Sequence, residues 1–256
     1  MNDNINDNTK RSTGGRPFEN NSVDSFGLAR VFAYIDGFNL YHQVQKLKNP
    51  HLKWVSLPAL MSCFLAPNEV LQDVNFFTSR PEHIFDDGSK LIRHDNYSKV
   101  QNFLGAKIIE GKFKKRYIKC KKCYHQGLEC PSCKAQKWFE YDEKQTDTNL
   151  ACAIIRDCFL YKPSRVIICS GDTDFIPVIK TIKECGLKTK IRFVMPPTTD
   201  KVPFEIRQAL AEYYETEYTN NDTKIGISRI NEVHLQQIKL PDIVDVNGEK
   251  ITNPYL

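Results

Sequence analysis

The chain has 256 residues, 41% of them hydrophobic and 26% charged, with a formal net charge of +5. That profile suits an ordinary globular protein with one sizeable core and room for a small appended module. No run of about 18 apolar residues argues for a membrane span, and the Asn- and Asp-rich start lacks the basic and apolar parts of a secretory signal, so a cytoplasmic protein that avoids membranes is expected.

Residues 1–28 are rich in Asn, Asp, Ser, Thr and Gly and read as a disordered tail. Val31 to Ile35 is a continuous apolar run ending in Asp36-Gly37, the pattern of a strand buried on both faces of a parallel sheet. Asn39 to Leu47 has helical character, Val74 to Thr78 reads as a strand ending in Ser79-Arg80, and Leu91 to Leu104 reads as a helix. Lys107 to Ile118 suits a strand or hairpin, and Lys137 to Tyr141 returns as another strand. Between Thr146 and Tyr161, Leu150, Ala151, Ile154, Ile155 and Cys158 fall at helical spacing, with Thr146 or Asp147 available as cap. Arg165 to Cys169 is a second buried strand, followed by Ser170-Gly171-Asp172-Thr173-Asp174. A helix over Phe175 to Cys185 is stopped by Gly186, Lys188 to Val194 alternates like a strand, and Pro203 to Tyr214 is a last helix. This alternation implies one α/β domain over residues 29–218, a mainly parallel sheet with helices on both faces. Residues 219–256 are expected to be an extended tail packed on the domain or on a partner, a second copy of the chain included.

In an open parallel sheet, ligands bind beyond the carboxyl ends of the strands. Asp36 follows one buried strand, Asp172 and Asp174 follow another, and Asp147 opens the helix that feeds the second. Each acid alone has a plainer explanation as a turn residue, a cap or a solvated side chain. All four at one edge repel one another unless a cation lies between them, and an all-oxygen site favours Mg²⁺ or Mn²⁺.

These residues carry a resemblance. Tyr34-Ile-Asp36-Gly-Phe-Asn39-Leu-Tyr41, Glu143-Lys-Gln-Thr-Asp147-Thr-Asn-Leu150 and Val166-Ile-Ile-Cys-Ser-Gly-Asp172-Thr-Asp174-Phe-Ile-Pro177 resemble, in order, the three motifs of the NYN family (LabA-like, PIN-related). The resemblance covers about residues 30 to 215. It implies a PIN-like three-layer α/β/α fold and a metal-dependent endoribonuclease. Asp36, Asp147, Asp172 and Asp174 would supply the acidic catalytic and metal site, and Asn39 would orient a carboxylate, a metal-bound water or the phosphate. Arg80 and Lys144, next to these motifs, are candidate phosphate contacts.

Nine cysteines in a chain without a signal peptide argue against a disulfide framework. Cys120-x-x-Cys123, six residues, then Cys130-x-x-Cys133 has the spacing of two knuckles closing a tetrahedral Zn²⁺ site. A structural zinc ribbon is therefore expected over residues 118–136, inserted in the domain. Cys63, Cys152, Cys158, Cys169 and Cys185 lie in apolar segments and read as small buried hydrophobes. Around the ribbon, Lys112, Lys114, Lys115 and Arg116 interleave with Phe113, Tyr117, Tyr124 and Trp138. Cations that track phosphates beside aromatics that stack on unpaired bases suit single-stranded RNA. Two other readings stand beside the ribonuclease: a non-cleaving RNA-binding or regulatory module that keeps the acidic pocket, and a phosphoryl-transfer enzyme acting on a small substrate.

Overall fold

The structure is a computed structural model and describes residues 22–81, 88–117, 124, 139–199, 201–216 and 221–256. In chain order, β1 (Ala29–Asp36), α1 (Gly37–Lys46), α2 (Leu57–Ser62) and β2 (Glu69–Thr78) come first, then α3 (Ser89–Phe103) and β3 (Ala106–Glu110). An antiparallel pair, β4 (Lys112–Tyr117) and β5 (Phe139–Lys144), precedes α4 (Thr146–Leu160), β6 (Arg165–Cys169), α5 (Ile176–Glu184), β7 (Lys190–Met195) and α6 (Phe204–Tyr213). The chain ends with β8 (Ile227–Arg229), α7 (Glu232–Gln237) and a second antiparallel pair, β9 (Ile243–Val246) with β10 (Glu249–Thr252).

Six strands form the central sheet in the order β3-β2-β1-β6-β7-β8, and every neighbouring pair is parallel. β1 explains why its sequence is apolar at every position. Phe32 and Tyr34 pack with Leu150 and Ile154 of α4, Val178 of α5 and Leu210 of α6. Val31, Ala33 and Ile35 pack on the other face with Leu40 of α1, Leu60 of α2 and Leu235 of α7. Both faces are covered, so a strand at the centre has no solvated side to alternate with. The sheet is therefore the middle of three layers, as the PIN-like reading requires.

The sheet grows in one direction from β1 to β3 and in the other from β6 to β8. The reversal lies between β1 and β6, which pair through Val31–Ile35 and Arg165–Cys169. In this class of sheet, the crevice beyond the strand ends opens at such a reversal.

Several expectations are modified. The basic stretch after Lys107 is two strands in two sheets: β3 joins the central sheet, and β4 turns away after Gly111 to pair with β5. Residues 221–256, the described part of the extended tail expected at 219–256, do not form one. They supply β8 to the central sheet, then α7 and the β9–β10 pair, because Ile227, Ile230 and Leu235 are buried against it. Residues 22–28, expected to belong to the N-terminal tail, are tied down where Arg30 N–H donates to Ser22 O and Val23 bridges Ala29; residues 1–21 lie outside the described ones. Of the five scattered cysteines, Cys158 and Cys169 are buried, but Cys63, Cys152 and Cys185 are exposed, since each stands on the outer side or at the end of a helix. All five are free thiols. Cys120, Cys123, Cys130 and Cys133, with most of the expected ribbon, fall outside the described residues.

Candidate functional site

Asp36 is the last residue of β1 and the N-cap of α1. Its Oδ1 accepts from Asn39 N–H at 3.0 Å and its Oδ2 accepts from Ser170 Oγ at 2.9 Å. Ser170 directly follows β6, so the reversal between β1 and β6 is bridged by a hydroxyl-to-carboxylate bond. The same hydroxyl accepts from Asp172 N–H at 3.1 Å. Asn39 crosses the crevice as well: its Oδ1 accepts from Gly171 N–H at 3.1 Å. Asp172 caps a short 3-10 turn, Thr173–Phe175, by accepting from Asp174 N–H at 3.0 Å. Two strand ends are thereby held in one hydrogen-bonded frame, and Asn39 acts as a structural tie across it.

The carboxylates share an electrostatic field. Burial pushes Asp36 up from 3.8 to about 6; the hydrogen bonds from Asn39 and Ser170 oppose the shift, while Asp147 and Glu143 add to it by repulsion. Asp147, in the first turn of α4, is raised by partial burial and by the charges of Asp172 and Asp174. Asp36, Asp147, Asp172 and Asp174 therefore gather on one rim. Asp147 and Asp174 are exposed, Asp172 is half-buried, and only Asp36 is sealed from water. Among the described residues, no group of three or more His, Cys, Asp or Glu side chains stands close enough to hold a metal ion.

A fifth carboxylate, Glu143 near the end of β5, belongs to the same rim. Its Oε1 accepts from Ser79 Oγ at 3.1 Å, and Ser79 Oγ lies 3.1 Å from Thr146 Oγ1. Burial raises the Glu143 carboxyl, the contacts with Thr146 and Ser79 lower it, and Asp147 raises it. Thr146 is thus engaged in this cluster and does not cap α4. The capping position is Gln145, at φ 78° and without a side-chain cap. Gly111 makes the cluster possible: a Cβ there would lie 2.3 Å from Thr146 Oγ1, 2.7 Å from Ser79 Oγ and 2.8 Å from Lys144 O.

The basic candidates divide. Arg80 is held by Asp95 in a two-pronged ion pair, Nε to Oδ1 at 2.8 Å and Nη2 to Oδ2 at 2.6 Å. Lys112, Lys114, Lys115 and Arg116 are exposed on β4. The register sets Lys112 opposite Lys144, Lys114 opposite Asp142 and Arg116 opposite Glu140. Arg116 reaches Asp142 at 2.9 Å and Glu140 at 3.2 Å, and Lys144 lies 3.7 Å from Asp142. β5 thus carries acids that answer the basic run of β4, and the cationic face of this pair is weaker than the linear sequence suggests. The pair is anchored beside the rim by Phe113, whose ring meets that of Phe38 edge to face at 5.8 Å.

No helix among the described residues is long and apolar enough to cross a membrane. The chain is 23% identical over 175 residues to 6-hydroxy-3-succinoylpyridine 3-monooxygenase HspA of Pseudomonas putida, an alignment covering 60% of this chain and 55% of that protein. It therefore spans about half the length of that curated relative. A solved structure, that of a protein of unknown function from Vibrio parahaemolyticus, aligns over 82% of this chain and 98% of its own with a TM-score of 0.44 and 13% identity. The sequence profile of the NYN domain matches residues 30–217, from β1 through α6 with the whole acidic rim between them. The chain belongs to the NYN domain family, a family of PIN-like nucleases.

Proposed function

We propose that the chain is a metal-dependent endoribonuclease. One observation carries this reading: carboxylates from β1, β5, α4 and the loop after β6 repel one another at a single sheet edge. Such an arrangement costs stability unless a cation or a proton relieves it. The donor set is all oxygen, which fits a hard divalent ion such as Mg²⁺ or Mn²⁺. Asp36, Asp147, Asp172 and Asp174 would hold it, and the bound ion would supply Lewis acidity and a water of lowered pKa. The chain's own groups prepare this place. Asn39 N–H and Ser170 Oγ fix both oxygens of Asp36, and Asn39 Oδ1 locks the turn that presents Asp172. Burial raises the Glu143 carboxyl while the bonds from Ser79 and Thr146 oppose the shift, and they fix it beside the rim.

The four cysteines at 120, 123, 130 and 133 are proposed as a structural zinc ribbon on the strength of their spacing. Lys112, Lys114, Lys115, Lys144 and Arg116 would guide single-stranded RNA toward the rim. Arg80 would reach a phosphate only by leaving Asp95. Free thiols suit the reducing cytoplasm. The activity in the Pseudomonas relative's name is not transferred, since the alignment spans about half of that protein.

A second reading, a module that binds RNA without cutting it, would use the same rim and the exposed cations of β4. A cleavage assay on labelled single-stranded RNA separates the two. With Mn²⁺ or Mg²⁺ the parent should cut, with EDTA it should not, and Asp172→Asn should bind RNA without cutting. RNA binding with no cutting under any metal condition would favour the module.

A further inference from the structure

The acidic rim does not account for the space beside it. Between α1 and α3, over the end of β2, lies a cleft of about 410 Å³, a size that takes small organic groups. It borders the rim: Gly37, which follows Asp36 in the chain, and Ser79, which bonds Glu143, both line it. Its character is the reverse of the rim's. Among the described residues the lining contains Lys53, Lys90 and Arg93 and no Asp or Glu. Aromatic rings line it: Phe38 and Phe113 meet edge to face, and Tyr41 and Tyr255 also belong to the lining. Tyr41 is 44% exposed. Lys53 Nζ lies 4.7 Å from the Tyr41 ring centroid and 5.6 Å from that of Tyr255, so a cation is already seated against these rings.

A nucleotide chain combines the two things this cleft complements. Its bases present flat faces to aromatic rings, and its backbone presents negative charge to lysine and arginine. A phosphodiester at the rim would bring its neighbouring nucleotide to the cleft at Phe38, two residues after Asp36 in the chain. We propose that the cleft seats one unstacked base of a single-stranded RNA, next to the phosphate held at the rim. The inference rests on the nuclease reading for the position of that phosphate, and its test does not depend on cleavage.

The experiment uses the full chain without chelator and without added Mg²⁺ or Mn²⁺, so that the proposed zinc stays bound, with uridine decamers that carry one 2-aminopurine at successive positions. One position should change its fluorescence on binding. An abasic residue at that position should weaken binding about tenfold, the scale of one stacked base. Phe38→Ala and Tyr41→Ala should each lose the fluorescence change and the discrimination against the abasic strand. Tyr41 is the safer of the two for folding, because its ring is partly in water, and a melting curve checks both. Equal affinity for intact and abasic decamers, with no responsive position, would overturn the inference even if the parent cuts RNA with Mn²⁺. Base-dependent binding by a protein that never cuts would uphold the cleft and sink the nuclease reading instead. Raised melting temperature with a free aromatic carboxylate, and none with any decamer, would assign the cleft to small molecules and overturn the proposal.

Discussion

Asp36 has two fixed hydrogen-bond donors and almost no water, and burial outweighs the donors, so its carboxyl ionises only near pH 6. A carboxyl raised from 3.8 in the unfolded chain to about 6 in the folded one contributes stability that is full below 3.8 and lost as pH rises through 6. Asp36→Asn keeps an oxygen to cap α1 and removes the buried charge. In metal-free buffer this variant should therefore be more stable than the parent above pH 6, by up to about 3 kcal/mol, with the difference fading below pH 4. Thermal melts across that range check it, and a variant less stable than the parent at pH 7.5 would count against the cost assigned to the charge. Mn²⁺ should then raise the melting temperature of the parent and leave the variant unmoved. The sequence exposed Asp36 and Asp172 because each ends an apolar run, where the edge of a parallel sheet is readable. It did not single out Glu143, which stands in a run of mixed charge and is held at the rim by Ser79, 64 residues away, and by Thr146. It also hid the pairing of Arg80 with Asp95 and the acids that oppose Arg116, because both depend on contacts and register that no linear pattern carries.

The elements that meet at Gly111 decide whether the rim keeps its shape. There β3 ends, β4 leaves for its own sheet, and the start of α4 and the end of β2 approach through Thr146 and Ser79. Gly111 also ties itself to β2, donating its N–H to Thr78 O at 2.8 Å. A Cβ would press on two hydroxyls and on a backbone carbonyl that cannot swing aside. Gly111→Ala should cost about 1–3 kcal/mol, the range for overpacking a filled site, measured by denaturant melts. Thr146→Ala removes the nearest of the three atoms, so Gly111→Ala with Thr146→Ala should cost less than the two single changes together. Strict additivity would show that the hydroxyl is not what the methyl meets. This junction had no signature in the sequence beyond a lone glycine in a basic run. Long elements such as α4 and β1 were readable from periodicity and continuous apolarity. α2 has six residues and β8 three, too few to display a period, and β8 is fixed as a strand by its pairing with β7.

The C-terminal segment closes the molecule on the face that carries α1 and α3. Trp54 is its fastening point: the side chain is fully buried, its Nε1 donates to Pro241 O at 2.8 Å, and its own carbonyl accepts from Leu240 N–H at 3.0 Å. Ser56 N–H donates to Ile238 O, and Val55 bridges Lys239, so residues before α2 and after α7 zip together. Around the indole, Val100, Leu240, Val246 and Ile251 form a third, smaller core, and Lys99 pairs with Glu249 across it. Because Tyr255 follows directly and lines the cleft beside the rim, the fastening of this segment and the shape of the cleft are one property. Trp54→Phe keeps most of the ring and deprives Pro241 O of its donor, which should cost about 1–2 kcal/mol. Trp54→Ala empties the small core and should cost about 3–5 kcal/mol. Hydrogen exchange locates the loss. In Trp54→Ala the amides of β9 and β10 should exchange faster by more than the global destabilisation explains, while β1 and β6, sealed between the two larger cores, should follow the global change alone. Equal acceleration in all four strands would mean that the C-terminal segment unfolds only with the sheet. The cleft beside the rim would then be as rigid as the core and not shaped by a separately fastened wall.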